Sequence, residues 1–444
     1  MVKIYQAGKA KKSPANQAIQ LKIDRLDHQG QGIGYWQGKI VFASGALPGE
    51  TVDLQLTDTK SKVAKGKVRR VLDASPLRQQ AACPHFANCG GCQLQYLSAE
   101  AQLELKQQAV DQMICHQTGL KDLPWQPAIR SAGAGYRRRA RIGVWFDKQQ
   151  QRFTVGFRQA NDKTISAVAH CLVLSPVLAP VFSVLNQVLP QLKQGSAITH
   201  VEVLDADGQA YLIVRHIRAL PESDQQLLLQ AWPDAFWLGE AQPGEFTAWQ
   251  ADYRPPEYQL AEQKLRLQFE PDDFIQVNPE VNRQMVQQAL DWLEPDLTQN
   301  ILELYSGIGN FSLALAQRTK AVHALEGVAT MVRRIEQNAQ LNKISNLTAA
   351  QADLHLPWPK ADWNQPVYDA VLLDPARAGA VGAAEQIAAL GPARILYVSC
   401  NPVSFAADAK LFLAAGYQLV KLAAMDMFPQ TSHLELMALF RRRK

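Results

Sequence analysis

Three stretches near the C-terminus each bring a reactive group to a strand end. "RILYVSCNPVSF" runs an apolar strand into Cys400-Asn401-Pro402, and "YDAVLLDPARAG" runs another into Asp374-Pro375. A cysteine at a strand end, followed by a loop with backbone donors, has the setting of a nucleophile, because such donors lower a thiol pKa. The other reading is a structural cysteine packed in an apolar strand. In "HLELMALF", His433 and Glu435 are two residues apart and would share one face of a strand. A carboxylate there serves as a general base if burial raises its pKa; equally, either side chain reads as an edge-strand polar group.

A ligand-binding pattern lies upstream. "ILELYSGIGNFSLALA" reads as a strand, then Gly307-x-Gly309, then a helix, and "AVHALEG" brings Glu326 to the next strand end. Glycines at that turn let backbone approach a ligand, and an acid about twenty residues on can accept both hydroxyls of a ribose. The third glycine of the dinucleotide fingerprint is replaced by Ser312. That disfavours a pyrophosphate cofactor and favours S-adenosylmethionine, which has ribose and adenine but no phosphate. Asp353, after the following strand, could meet the adenine amino group; it reads equally as a helix N-cap.

These groups need a scaffold that gathers strand ends. From residue 268 onward, near-continuous apolar strands alternate with helical stretches, the pattern of a parallel Rossmann-like α/β sheet. Ligands bind such sheets at the carboxyl ends of the strands, so Gly307, Glu326, Asp374 and Cys400 are expected on one rim. Residues 136–158 and 198–218 read as hairpins, the second turning at Asp205-Ala-Asp-Gly208. The central region is therefore strand-rich. Before it, "SAEAQLELKQQAVDQMI" is helical, with Ser98 as its cap and Glu100 in its first turn. Residues 19–72 hold short strands punctuated by Gly30, Gly32, Gly34, Gly38 and Pro48-Gly49, as in a small OB-like barrel. Tyr35-Trp36 suits either a nucleic-acid surface or that barrel's core. The expected division is 1–75, barrel; 76–268, central domain; 269–444, α/β domain.

The chain has 444 residues, 47% of them hydrophobic, which excludes the disordered class. No apolar run approaches the ~20 residues of a membrane helix, and the N-terminus lacks the apolar core of a secretory signal, so a cytoplasmic protein is expected. The net charge of +5 is modest, but basic residues cluster in "GKAKK", "KSKVAKGKVRR", "YRRRARIG" and "RRRK". Each cluster alone is an ordinary solvated surface; four together favour RNA or DNA. Nothing in the sequence marks an obligate protein partner.

Six cysteines in such a chain point to metal or catalysis rather than disulfides. Three fall in "CPHFANCGGC", at Cys83, Cys89 and Cys92. A metal site wants a fourth ligand, and Cys115 and Cys171 are the candidates. Four thiolates suit zinc, and three clustered with one distant also suit a 4Fe–4S cube.

In order, "FIQVN" (274–278), "ELYSGIGNFS" (303–312), "DPARAG" (374–379), "VSCNP" (398–402) and "FPQTSHLE" (428–435) resemble the RNA uracil-C5 methyltransferases. The match runs from about residue 19 to 440, and the ordered motif set is highly specific. The first domain resembles a TRAM module, which binds RNA, and the cysteine run resembles the 4Fe–4S motif of the branch acting on 23S ribosomal RNA. Barrel and cluster together imply that branch, with a flipped-out uracil of 23S ribosomal RNA as substrate. The resemblance implies Cys400 as nucleophile and Glu435 as base. It places Gln276, Tyr305, Glu326 and Asp374 around S-adenosylmethionine and uracil, with Asn310, just after the GxG turn, as a further contributor. It also implies Cys83, Cys89, Cys92 and Cys171 as cluster ligands. Ala376 stands where many members have proline, which loosens that loop, while Asp374 and Arg377 remain. Two other functions fit the same features. One is methylation of cytosine carbon 5 by similar thiol chemistry, and the other a non-catalytic RNA-binding iron–sulfur protein.

Overall fold

The computed structural model describes residues 17–160, 162–359, 362–364 and 368–443. The basic "GKAKK" cluster and the last residue of "RRRK" lie outside them. The described residues form two compact units, one within residues 17–81 and 93–110, the other within 82–92 and 111–443.

In the first unit, β1 (Ala18–Lys22), β2 (Arg25–Leu26), β3 (Gly32–Trp36), β4 (Lys39–Ser44), β5 (Thr51–Thr59) and β6 (Val63–Asp73) make one six-stranded sheet, in the order β1-β5-β6-β4-β3-β2. Alternate residues such as Leu21, Val41, Val52, Leu54 and Leu56 fill its core. The aromatic pair divides: Tyr35 is 60% exposed, whereas Trp36 packs against the core. Buried Glu50 ties the unit together by accepting from the Leu47 and Ser75 amides and from Arg78. Ser98 caps α1 (Ala99–Thr118), as its position implied, accepting from the Ala101 amide at 3.2 Å.

The second unit holds two larger sheets. The central one uses β7 (Arg139–Asp147), β8 (Arg152–Arg158), β9 (Ile165–Ala167), β10 (Ile198–Ala206), β11 (Gln209–His216), β12 (Phe236–Glu240) and β13 (Phe246–Ala248), in the order β13-β12-β11-β10-β7-β8-β9. Both expected hairpins form, β7/β8 and β10/β11. The second turns through Asp207 and Gly208, both at positive φ. Helices α2 (Val181–Val188) and α3 (Glu222–Ala231) accompany this sheet, and β14 (Glu257–Leu260) pairs with β15 (Leu265–Gln268) as a separate hairpin.

The C-terminal sheet comprises β16 (Asn300–Leu304), β17 (Ala321–Glu326), β18 (Leu347–Gln351), β19 (Ala370–Leu373), β20 (Arg394–Ser399), β21 (Tyr417–Met425) and β22 (Glu435–Arg442). Its order is β18-β17-β16-β19-β20-β22-β21. The first five strands are parallel, as their apolar runs imply, and β22 enters antiparallel beside β20. Helices α4 (Pro279–Leu293), α5 (Ser312–Ala316), α6 (Ala329–Leu341), α7 (Ala383–Leu390) and α8 (Pro402–Ala414) connect them. The Asn-Pro pairs start two of these helices: Asn278 and Asn401 each cap the helix whose first residue is the proline. Residues of both larger sheets share one core, where Leu204, Ile213 and Leu238 join Leu372, Leu396 and Met437. No helix among the described residues is long and apolar enough to cross a membrane.

Candidate active site

The turn after β16 is bent into the left-handed region at Tyr305 (φ 60°), Gly307 (56°) and Gly309 (94°). Glycine tolerates that conformation and tyrosine does not without strain. Glu326, at the end of β17, fixes the turn: its Oε2 accepts from the Gly307 amide at 2.9 Å and its Oε1 from the Val328 amide at 3.1 Å. The carboxylate is thus oriented while keeping lone pairs for a ligand's hydroxyls.

A cleft of about 540 Å³ opens at this rim. Gln276, Tyr305, Asn310, Glu326, Asp374, Cys400 and Glu435 all line it, so the strand-end residues and the motif residues meet in one place. Asp353 is not among its lining residues. Its carboxylate accepts from the His355 amide at 3.0 Å, a turn cap beside Tyr305. Asn310 lines the cleft with its amide already engaged: it exchanges hydrogen bonds with Asn282 and accepts from the Tyr258 hydroxyl at 2.8 Å. His433 lies ahead of β22, which starts at Glu435, so the two are not strand neighbours; both nevertheless face the cleft. Arg377 also lines it, on a loop whose carbonyl at Arg377 accepts from the Asn401 side chain at 2.8 Å.

Electrostatics here departs from one expectation. The loop donors do not lower the Cys400 thiol. Burial, and then the carboxylates of Glu435 and Asp374, push it up to about 11, outweighing Arg377 and the Cys400 amide. Burial raises Asp374 to about 7, and burial together with Asp374 raises Glu435 to about 8. Two carboxyls that each exchange protons near neutrality therefore share a cleft with a protonated thiol, an arrangement suited to moving protons.

Sequence reading missed four contributors. Glu303 is buried within β16 and pushed up to about 8 by burial, with Asp374 and Glu326 adding to it. An acid inside the apolar run "NILEL" was the signal. Phe274, 65% exposed, lines the cleft together with Phe428. Arg138 is buried with its guanidinium 4.5 Å from the Tyr258 ring, and its Nε donates to the Gln276 carbonyl at 2.7 Å. It thereby anchors the segment that brings Gln276 to the cleft.

The "CPHFANCGGC" loop is pinned to the segments around Cys171. The Gly90 amide donates to the Arg158 carbonyl at 2.9 Å, the Ala169 amide donates to His85 Nε2 at 3.2 Å, and the His85 and His170 rings lie 5.3 Å apart. Burial raises the Cys171 thiol, with Cys89 and Cys83 adding to the rise. Cys115 is placed differently, its thiol facing the Lys121 carbonyl at 3.8 Å and raised by burial, Asp111 and Asp122. Cys171, not Cys115, thus neighbours the loop thiols. Among the described residues, no group of three or more histidine, cysteine or acidic side chains meets the geometry for holding a metal ion.

A Rossmann-like sheet with this cleft at its strand ends defines a class of nucleoside-cofactor enzymes, here with strand-rich domains ahead of it. Comparisons narrow the class. The tRNA (Uracil-5-)-methyltransferase family model matches residues 98–353 and 360–443, and the TRAM domain model matches 14–68. The chain is 43% identical over 422 residues, 94% of each chain, to a Vibrio cholerae serotype O1 (strain M66-2) protein named 23S rRNA (uracil(1939)-C(5))-methyltransferase RlmD. It is 40% identical over 443 residues, 99% of each, to the protein of that name from Shewanella amazonensis. The crystal structure of the Pyrococcus abyssi tRNA (uracil-54, C5)-methyltransferase, in complex with S-adenosyl-L-homocysteine, shares the fold. Its TM-score is 0.72 at 20% identity, covering 95% of this chain and 100% of that one. The chain belongs to the uracil-C5 RNA methyltransferase family, and its N-terminal unit carries a TRAM domain.

Proposed function

We propose that the protein transfers a methyl group from S-adenosylmethionine to carbon 5 of a uracil in 23S ribosomal RNA. One observation carries this reading: Cys400, Asp374 and Glu435 line the same cleft as the GxG turn that Glu326 fixes. The family and the named relatives support the substrate.

S-adenosylmethionine supplies an electrophilic methyl on a sulfonium, whose positive charge favours ionised groups in a cleft that otherwise disfavours them. Gln276, Tyr305, Glu326 and Asp374 would hold it and the uracil, with Glu326 taking ribose hydroxyls. Asn310 helps shape the wall, and Asp353 flanks it near Tyr305. Carbon 5 of uracil is a weak nucleophile. The Cys400 thiol therefore gives its proton to a neighbouring carboxylate, and its sulfur adds at carbon 6. The electron pair of the 5,6 double bond moves toward the carbonyl as an enolate, and Arg377 is placed to neutralise that charge. Carbon 5 then takes the methyl group as the methyl–sulfur bond breaks, its electron pair staying on sulfur so that the neutral thioether S-adenosylhomocysteine leaves. Glu435 removes the carbon-5 proton, the double bond re-forms and the carbon–sulfur bond breaks, returning Cys400. Covalent catalysis divides one difficult step into easier ones. A paired uracil hides carbon 6, so the base is flipped out, at a cost of a few kcal/mol.

Cys83, Cys89, Cys92 and Cys171 would hold a 4Fe–4S cluster. What supports this reading is the kind of donor, three thiols on one pinned loop with Cys171 neighbouring Cys83 and Cys89; among the described residues the thiols are not gathered at ligating geometry. Such a cluster needs no role in the methyl transfer; it would tie residues 83–92 to residue 171. An anaerobic preparation should be brown and absorb in the visible blue, and a colourless, zinc-loaded protein would refute the assignment.

Methyl transfer to RNA loops whose reactive pyrimidines are all uracil, against loops carrying only cytosine, tests the reaction. Transfer to the first alone is expected, and transfer to cytosine would overturn it.

A further inference from the structure

A second cavity, of about 510 Å³, lies on the central sheet away from the cleft residues, lined by Trp145, Asp147, Arg152, Thr154, Lys163 and Ile165 among others. Trp145 is 63% exposed, a large aromatic face open to a ligand. Strand register puts Trp145 opposite Thr154 and Asp147 opposite Arg152. A Cβ on Gly143 would meet Ile165 Cδ1 at 2.5 Å, so the Ile165 side chain lies over Gly143 and extends an apolar floor one strand step from Trp145. Arg152 and Lys163 make no ion pair among the described residues, whereas the nearby carboxylates are engaged. Asp147 accepts from the Gln149 and Gln150 amides, and Asp162 from the Thr164 amide.

The same strand leads back to the cleft. Along β7, Ala140, Ile142 and Val144 are buried, while Arg139, Arg141, Gly143 and Trp145 alternate on the other face. Arg139 donates to the carbonyls of Pro271 and Asp273, both at 2.6 Å, just before the cleft residues Phe274–Gln276. Arg141 is 67% exposed and shares Glu202 with Arg139. Six residues of strand span about 20 Å, so β7 lays arginines from the cleft's edge toward an exposed tryptophan.

We propose that the outer face of β7 and β8 is a binding track for a single-stranded segment of the substrate RNA. Trp145 stacks on an unpaired base, and Arg152 and Lys163 contact the adjoining phosphates. An exposed aromatic ring flanked by unpaired cations is the pattern by which proteins hold unpaired nucleotides. Continuity with the cleft selects the strand flanking the methylated uracil. This assignment rests on the RNA methyltransferase reading above.

The test uses the full-length protein and a 23S-derived RNA loop with single-stranded flanks. Wild-type methyl transfer to that loop is measured first; its absence would remove the functional reading, while affinity for the same RNA tests the track separately. Trp145→Ala should weaken RNA binding about tenfold to a hundredfold, the effect of losing one stacked base. The rate at saturating RNA should stay near wild type, and Trp145→Phe should restore most of the affinity. The double variant Arg152→Ala/Lys163→Ala should flatten the slope of log Kd against log salt by about 0.7 for each lost phosphate contact. RNA carrying 5-iodouridine in its flank should photocrosslink to Trp145. Unchanged affinity in Trp145→Ala with no crosslink there would overturn the track, and would leave the patch to a protein partner instead.

Discussion

Tyr136 donates its hydroxyl to the carbonyl of Pro429 at 2.9 Å, joining residues 293 positions apart in the chain. Tyr136 belongs to the 135–137 stretch whose Gly135 and Arg137 amides bond the carbonyls of Leu172 and Val173, next to Cys171. Pro429 follows Phe428, which lines the cleft and packs on His433 with ring centroids 5.7 Å apart. One hydroxyl therefore connects the cysteine loop's surroundings to the wall of the cleft. Tyr136→Phe should cost about 1–3 kcal/mol of stability by leaving a buried carbonyl unpaired, measured by denaturant unfolding. It should also slow methyl transfer several-fold without weakening S-adenosylmethionine binding. An unchanged rate would show that the wall does not need this anchor.

Arg138→Met should separate KM from kcat. The guanidinium is buried and costly to desolvate, so its loss should change global stability by under about 2 kcal/mol. Without its bond to the Gln276 carbonyl, the Gln276 segment loses its anchor. KM for the methyl donor or the RNA should then rise several-fold, with a smaller change in kcat. Steady-state kinetics on both substrates decide it, and an unaltered KM for each would remove Arg138 as a positioning residue.

Glu326→Gln should keep the turn and lose the ligand. The amide oxygen can still accept from the Gly307 N–H, but the amide NH2 meets the Val328 N–H donor to donor, so the melting temperature should fall by a few degrees. One strong ribose acceptor becomes a weaker one, and calorimetric titration should show S-adenosylmethionine binding about tenfold to a hundredfold weaker. RNA affinity should not move.

Which of these features the sequence exposed follows from how far apart their causes lie in the chain. The strand-end positions of Gly307, Glu326, Asp374 and Cys400 were legible because long apolar strands with helices between them leave little freedom in a parallel sheet. The hairpin at Asp205–Gly208 was legible because its turn chemistry is local. The direction of the Cys400 shift was not, because the burial that dominates it, and the approach of Glu435 and Asp374, follow only from the strand order around β20. The Asn310–Asn282 amide pair was hidden for the same reason: a loop and a helix meet there only in the fold. Tyr35 and Trp36 divide between solvent and core because neighbours on a strand face opposite ways, and composition does not say which way.

The raised carboxyl of Glu435 carries a sign that can be measured. Folding moves it from the ordinary 4.5 to about 8. The folded chain thus retains a proton that the unfolded chain releases in that window. The associated stabilisation is complete below about pH 4.5 and is lost as pH rises through about 8. Glu435→Gln is neutral throughout, so between about pH 6 and 9 it should gain roughly 1–3 kcal/mol relative to wild type, read from denaturant midpoints. Its methyl-transfer rate should fall about 10²- to 10⁴-fold, the usual worth of a general base. Parallel stability curves for the two proteins would contradict the buried-carboxyl account.

Cys171→Ser should remove the visible colour of an anaerobic preparation and lower the melting temperature or RNA affinity. Any protein that still binds RNA should keep its single-turnover methyl-transfer rate near wild type. A colour indistinguishable from wild type would exclude Cys171 as the fourth ligand, and a selective loss of the chemical step would contradict an architectural role.

The central claim is that Cys400 becomes covalently bonded to carbon 6 of a uracil. RNA carrying 5-fluorouridine at the target position, incubated with the protein and S-adenosylmethionine, has no carbon-5 proton for Glu435 to remove. The account predicts a stable protein–RNA adduct that survives denaturing electrophoresis, maps to Cys400 by mass spectrometry and is absent in Cys400→Ala. No adduct in a protein that still binds both S-adenosylmethionine and the RNA, or an adduct on another residue, would contradict it.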